Sequence, residues 1–210
     1  MKVLLVNGSP HKQGCTYTAL CAVADELFCC GVETEIFHIG NKPLIGCQAC
    51  GTCAKNADCR CVFGDDDGVN AFVEKAKEAD GFVFGSPVHY AAAGGSVTSF
   101  LNRAFYCGKS AFCYKPGAAV VSCRRGGSTA ALDQLNKYMT ISNMPLVSSA
   151  YWNMVHGNTP EEVKQDLEGM QTMRILGRNM AWLLKCIEAG RDAGISLPDA
   201  EKKIKTNFIR

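Results

Sequence analysis

The chain has 210 residues, 47% apolar and 20% charged, with a formal net charge of +2 at pH 7. This is the composition of a globular protein long enough to bury a core unaided, and without a basic run it carries no footprint for nucleic acid. The first apolar run is too short for an export signal and nothing approaches the ~20 apolar residues of a membrane helix, so a cytoplasmic protein with no membrane partner is expected.

Lys2–Val6 is an apolar run stopped by Asn7-Gly8-Ser9-Pro10, the pattern of a buried strand feeding a turn. From Thr16 to about Cys30, Leu20, Val23, Ala24 and Leu27 share one face of a helix. Glu33–Ile39 alternates as a second strand. A cysteine-rich segment follows, and Asp66 or Asp67 can cap a helix reaching about Ala79. Gly81–Gly85 reads as a third strand, stopped by Ser86-Pro87. A helix near Ser96–Tyr106, a strand at Ala118–Ser122, a helix at Ser128–Tyr138 and a strand near Leu146–Ser149 complete the alternation. The pattern predicts an α/β fold with a five-stranded parallel sheet and helices on both faces. Thr159-Pro160-Glu161-Glu162 then supplies an N-cap, a proline in the first turn and a capping glutamate for a helix reaching about Ala189. One domain is expected over residues 1–194, with a cysteine-rich insertion at 43–64 and the long helix at its end, followed by a charged tail at 195–210.

In an open parallel sheet, ligands bind beyond the carboxyl ends of the strands, so the loops leaving those ends hold the candidate residues. The first is Gly8-Ser9-Pro10-His11-Lys12-Gln13-Gly14-Cys15-Thr16. Hydroxyls at Ser9 and Thr16, a flexible Gly14, free N–H groups at a helix start and positive charge from Lys12 and His11 form a cradle for phosphate; the alternative is an ordinary polar turn with Thr16 as cap. It has neither the Walker spacing nor a Gly-x-Gly-x-x-Gly run. The second is Ser86-Pro87-Val88-His89-Tyr90 with the small residues after it, a surface on which a flat ring can lie or simply a packed loop with wet polar tips. The third, Cys123-Arg124-Arg125-Gly126-Gly127, offers N–H donors and positive charge to the electron-rich edge of a ring such as a reduced flavin, or is a solvated basic turn. Neither Cys15 nor Cys123 has the Cys-x₅-Arg spacing of a small phosphatase.

Thirteen cysteines need explaining. Cys21, Cys29, Cys30, Cys107, Cys113 and Cys186 read as small buried hydrophobes. Five others form Cys47-x₂-Cys50-x₂-Cys53-x₅-Cys59-x-Cys61. Thiolates so spaced suit the irons of a cubane, with zinc or unligated redox-reactive thiols as alternatives. Tyr151-Trp152-Asn153-Met154-Val155-His156-Gly157 packs two aromatics, an amide and an imidazole ahead of the last helix; it can cover a ligand edge in a homodimer or tetramer, or pack in the core.

Taken together, these loops resemble the NADPH-dependent FMN reductases and flavodoxin-like oxidoreductases, including the iron–sulfur flavoproteins. The likeness rests on Asn7-Gly8-Ser9-Pro10-His11 through Gly14-x-Thr16, on Ser86-Pro87-Val88-His89-Tyr90 with Phe100-Leu101-Asn102-Arg103, and on Ser122 to Gly127. His11 stands where arginine is commoner, and Asn102-Arg103 where the family usually has Asp-Arg. The resemblance implies a flavodoxin-like fold holding FMN without a covalent link. Its phosphate would sit at Ser9, His11, Gly14, Cys15 and Thr16, and its ring against Ser86–Tyr90 and Cys123–Gly127. It further implies NAD(P)H as cosubstrate, a small-molecule or redox-protein acceptor, and a possible [4Fe–4S] cluster on Cys47, Cys50, Cys53 and Cys59, with Cys61 as the alternative fourth ligand. A non-enzymatic electron carrier and a thiol or metal redox sensor are the rival readings.

Overall fold

Strand β1 (Lys2–Asn7) alternates Val3 and Leu5 on one face with Leu4 and Val6 on the other, all four fully buried. A strand apolar on both faces belongs in the middle of a covered sheet. In the computed structural model, which describes residues 1–63, 66–199, 201, 202, 204 and 206, that is its place. Around it lie β2 (Glu33–His38), β3 (Gly81–His89), β5 (Gly117–Cys123) and β6 (Met154–His156), paired in parallel in the order β2-β1-β3-β5-β6. The short β4 (Ala92–Ala93) turns back antiparallel on the end of β3. The five-stranded parallel sheet expected from the sequence is present, with this extra hairpin.

Helices α1 (Cys15–Cys29), α6 (Pro160–Gln165) and α7 (Leu167–Asp192) bury Leu20, Val23, Leu27, Met173, Leu176 and Met180 against the Val3 face. A Cβ on Gly177 of α7 would stand 2.8 Å from Glu26 Cβ, so the two long helices touch where there is no side chain. The other face is covered by α2 (Val69–Glu78), α3 (Gly95–Cys107), α4 (Lys109–Phe112) and α5 (Ser128–Thr140), around a phenylalanine cluster at Phe72, Phe82, Phe84, Phe100 and Phe112. Among the described residues no helix is long and apolar enough to cross a membrane.

Several expected boundaries move, each for a local reason. The last strand is split. Gly117 N donates to Pro145 O and Val147 N to Gly117 O, but after this isolated bridge at Leu146 the chain swings out and the ladder resumes only at Met154. Ser149 Oγ, bonded to Tyr151 O and Asn153 Oδ1, closes the excursion. The helix expected from Thr159 to Ala189 is broken at Asp166, whose carboxylate accepts from Gly169 N (2.9 Å) and from His156 N (2.7 Å). It thereby caps α7 and pins the end of β6. Helix α2 opens at Val69, with Asp67 Oδ1 accepting the Val69 N–H. Ser86–His89, expected as a loop, continue β3. Gly64, at the end of the expected insertion, and Ala200, Lys203, Lys205 and residues 207–210 of the expected tail lie outside the described residues.

The scattered cysteines correct another expectation. Cys107 is buried, but Cys29 and Cys186 are exposed and Cys21, Cys30 and Cys113 are half-buried, because solvent-facing helix positions (Cys21, Cys29, Cys186) and helix ends (Cys30, Cys113) tolerate a small thiol. Burial pushes the Cys107 thiol up to about 11 and raises Cys123 as well. Since only the thiolate reacts, iodoacetamide at mildly alkaline pH is expected to label Cys29 and Cys186 in the native protein and to spare Cys107 and Cys123. Peptide mass mapping checks this; labelling of Cys107 at the rate of Cys186 contradicts the packing described.

Candidate functional site

Strand β1 sends its crossover to β2 on one side while β3 leads away on the other, so the sheet has its topological switch between β1 and β3. The crevice at the carboxyl ends there is where such sheets bind ligands. Gly8 and Gly85 meet at this point: Gly8 N donates to Gly85 O at 2.9 Å. A Cβ on Gly8 would come within 2.6 Å of that carbonyl, and one on Gly85 within 2.9 Å of Thr16 Cγ2.

The first loop is fixed from beneath by Asn7, which is fully buried. Its Oδ1 accepts from Ser9 N at 3.1 Å, and its Nδ2 donates to Lys12 O at 3.1 Å and His11 O at 3.4 Å. Ser9 Oγ accepts from His11 N, and His38 Nε2 stands 2.9 Å from Ser9 O. Helix α1 then starts after Gly14 with no side-chain cap and no acidic residue in its first turn. Such a start leaves N–H donors and the positive end of the helix dipole for an anion. His11 and Lys12 are exposed beside it, at the rim of a cavity of about 740 Å³ that runs from the first loop past His38 and Gly40 to Asn158–Pro160.

Two side chains of this loop also make contacts across the fold. Thr16 is buried, with its Oγ1 2.8 Å from Ser122 Oγ, a contact that ties α1 to β5. The half-buried Cys15 thiol is directed at Gly157 O, and burial raises it.

Beyond Ser86 the second segment is a hairpin. Val88 and His89 pair with Ala93 and Ala92, and Tyr90 and Ala91 form the turn, both at positive φ (49° and 59°). That backbone is the two-residue turn usually built from Asn-Gly; Tyr and Ala adopt it under strain, and strain of this kind concentrates at functional sites. Tyr90 at the tip is completely exposed. Ser86 Oγ accepts from Gly94 N (2.9 Å) and Gln134 Oε1 from Ala93 N (3.0 Å), which hold the returning strand. The third loop reaches the same place: Gly127, at φ 88°, lies so near that a Cβ there would be 2.5 Å from Ala91 Cα. Arg124, Arg125 and Gly126 are exposed beside the hairpin, whereas the Cys123 side chain is buried and its carbonyl accepts from Gly157 N. Thus Ser86–Tyr90 and Arg124–Gly127 make one open ledge next to the anion-seeking helix start. A second cavity of about 360 Å³ adjoins it, lined by Ser128, Thr129, Tyr151, Trp152, His156 and Asp166.

The cysteine loop docks on the α2–α3 face. Cys47, Cys50 and Cys59 are exposed, while Cys53 and Cys61 are half-buried against the phenylalanine cluster. Ala49, Gly51 and Cys59 take left-handed backbone, so the chain turns tightly on both sides of Cys50. Thr52 donates its hydroxyl to Cys50 Sγ and holds that thiol below its ordinary range, while burial raises Cys53. Among the described residues no three His, Cys, Asp or Glu side chains converge on a point where one ion could sit. Three exposed thiols and one half-buried thiol on one loop are the soft donor type that an iron–sulfur cluster or a zinc ion takes.

A doubly wound parallel sheet with an uncapped helix start and an exposed hairpin at its switch point is the architecture of a flavodoxin-like protein. The chain belongs to the NADPH-dependent FMN reductase family, whose profile matches residues 1–159. It is 30% identical over 200 residues to an iron–sulfur flavoprotein of Methanocaldococcus jannaschii, covering 90% of this chain and 100% of that one. It is likewise 30% identical to the iron–sulfur flavoprotein of Methanosarcina thermophila, at 91% and 100% coverage. Among solved structures, RosB with a bound riboflavin-phosphate intermediate superposes at TM-score 0.67 and 13% identity, over 100% of this chain and 94% of that one. An archaeal flavodoxin does so at TM-score 0.57 and 16% identity, over 88% and 99%. Family and fold make this a flavin oxidoreductase.

Gln134 and Asp166 brace this edge without standing out in the sequence, and Asn7 appears there only as the first residue of the loop motif. Only Asn7 carries a signal, an amide closing an apolar strand ahead of Gly-Ser-Pro. Asn7→Ala is expected to cost about 1–3 kcal/mol, because Ser9 N is left without its buried acceptor. It should also weaken flavin binding. Urea denaturation and flavin titration check both; unchanged affinity would mean that the first loop does not hold the flavin.

Proposed function

We propose that the protein holds FMN on this edge, takes electrons from NAD(P)H, and passes them to a small-molecule or redox-protein acceptor by way of an iron–sulfur cluster on the cysteine loop. One observation carries the reading: the uncapped, acid-free start of α1 stands beside a strained hairpin and a cationic glycine loop on a single edge. The N–H groups of Cys15 and Thr16 behind Gly14, with Lys12 and His11, bind the phosphate of FMN. Val88–Tyr90 and Gly126–Gly127 orient the ring, and Arg124 and Arg125 offset negative charge at its pyrimidine edge. The cavity beside Tyr151 and Trp152 gives space for a second substrate to approach. Cys47, Cys50, Cys53 and Cys59 hold the cluster. Bound flavin supplies hydride and single-electron chemistry that no side chain provides, which is why no acid–base residue is assigned. The iron–sulfur names of the two methanogen relatives support the cluster, and the family name supports a nicotinamide donor.

Anaerobically purified protein is expected to show flavin bands over a broad brown absorption. Flavin released by heat should run with FMN, and the flavin bands should bleach on adding NADPH or NADH. Recovery of one FAD per chain would overturn the cofactor. A flavin that NAD(P)H leaves oxidised while a low-potential electron carrier reduces it would make the protein a carrier without nicotinamide chemistry.

A further inference from the structure

Arginine is seldom fully buried, yet Arg103 on α3 is only 1% exposed and heads the large side chains enclosed in this protein. Its guanidinium is committed to the cysteine loop. Nε donates to Cys61 Sγ at 3.2 Å, Nη1 pairs with Asp67, and Cζ stands 5.2 Å over the Phe63 ring. The loop answers with a second clamp: Asn70 accepts from Cys61 N (2.9 Å) and donates to Cys61 O (3.0 Å). Cys61 is therefore held at backbone and side chain, while Cys59, two residues earlier, is exposed.

One nitrogen is left over. Arg103 Nη2 is buried and has no hydrogen-bond partner among the described residues. Buried charged donors are normally satisfied, because losing water without a replacement is costly. In the planar guanidinium, Nε–H and one Nη2–H point the same way along one edge. The spare donor therefore shares the edge that faces Cys61, on the side of the cysteine loop. Asp67 balances the charge and Cys61 Sγ takes Nε, which leaves Nη2 with no part in fixing the loop.

We infer that Arg103 is a positioning residue for the cluster: it tethers the loop through Cys61, which is not itself a ligand, and keeps Nη2 as a donor to a sulfur of the cluster. The inference rests on the cluster reading above. Donors and positive charge near cluster sulfur stabilise the more negative, reduced form and so raise its potential.

The test uses full-length, FMN-loaded protein reconstituted anaerobically with iron and sulfide. Arg103→Gln is expected to keep its FMN, to show a more negative cluster midpoint potential, and to lose iron to a chelator about tenfold faster or more. Arg103→Lys, which keeps the charge but not the fork, should have a midpoint nearer the wild type. If Arg103→Gln loses FMN as well, Cys61→Ala decides: it should load as much iron as the wild type and release it faster. Cys61→Ala protein that cannot be loaded makes Cys61 a ligand and overturns the tether. Arg103→Gln protein with wild-type midpoint and release overturns the inference while leaving the cluster standing. Wild-type protein that takes up no iron overturns both.

Discussion

Parallel pairing is the constraint on which everything else depends. With β1, β2, β3, β5 and β6 all running the same way, each loop that follows a strand leaves by one edge, whatever its sequence. How close those loops come is then set at the centre, where Gly8 and Gly85 touch backbone to backbone and the Thr16–Ser122 bond draws α1 toward β5. An anion-seeking helix start, a hairpin and a cationic glycine loop could lie anywhere in a chain. The sheet makes them neighbours, and two glycines make them close ones.

The edge is built for rigidity before any ligand arrives. Asn7 braces the first loop, Ser86 and Gln134 the hairpin, Gly157 N the end of β5, and Asp166 both β6 and the start of α7. Each brace is a hydrogen bond to backbone, accepted by Ser86, Gln134 and Asp166, both accepted and donated by Asn7, and donated by Gly157 N. Preorganisation of this kind lowers the entropy lost when a cofactor binds.

Much of this could be read from the residues. Strands buried on both faces and helices with a 3.6-residue stripe announce themselves, and so do polar loops that follow them. The failures have physical causes. Leu146–Ser149 reads as the last strand because an apolar run looks the same whether or not its ladder continues; the excursion closed by Ser149 is a side-chain event. The break at Asp166 hides inside a long helical pattern because one carboxylate serves two backbone donors from distant residues. The turn at Tyr90-Ala91 lacks the Asn-Gly signature, since its backbone is imposed by pairing and by the contact with Gly127. Arg103 could not be read as buried, because a charged residue on a helix is solvent-facing by default.

The central claim is that one edge, and no other surface, receives the flavin phosphate. Hydrogen exchange of the flavin-free protein, compared with and without added FMN, tests it most directly. The account predicts slowed exchange at Gln13–Tyr17, at Val88–Gly94 and at Arg124–Ser128, with little change elsewhere. Protection concentrated instead at the opposite end of the sheet, where a cavity of about 520 Å³ lies between Tyr114 and Leu197, would contradict it.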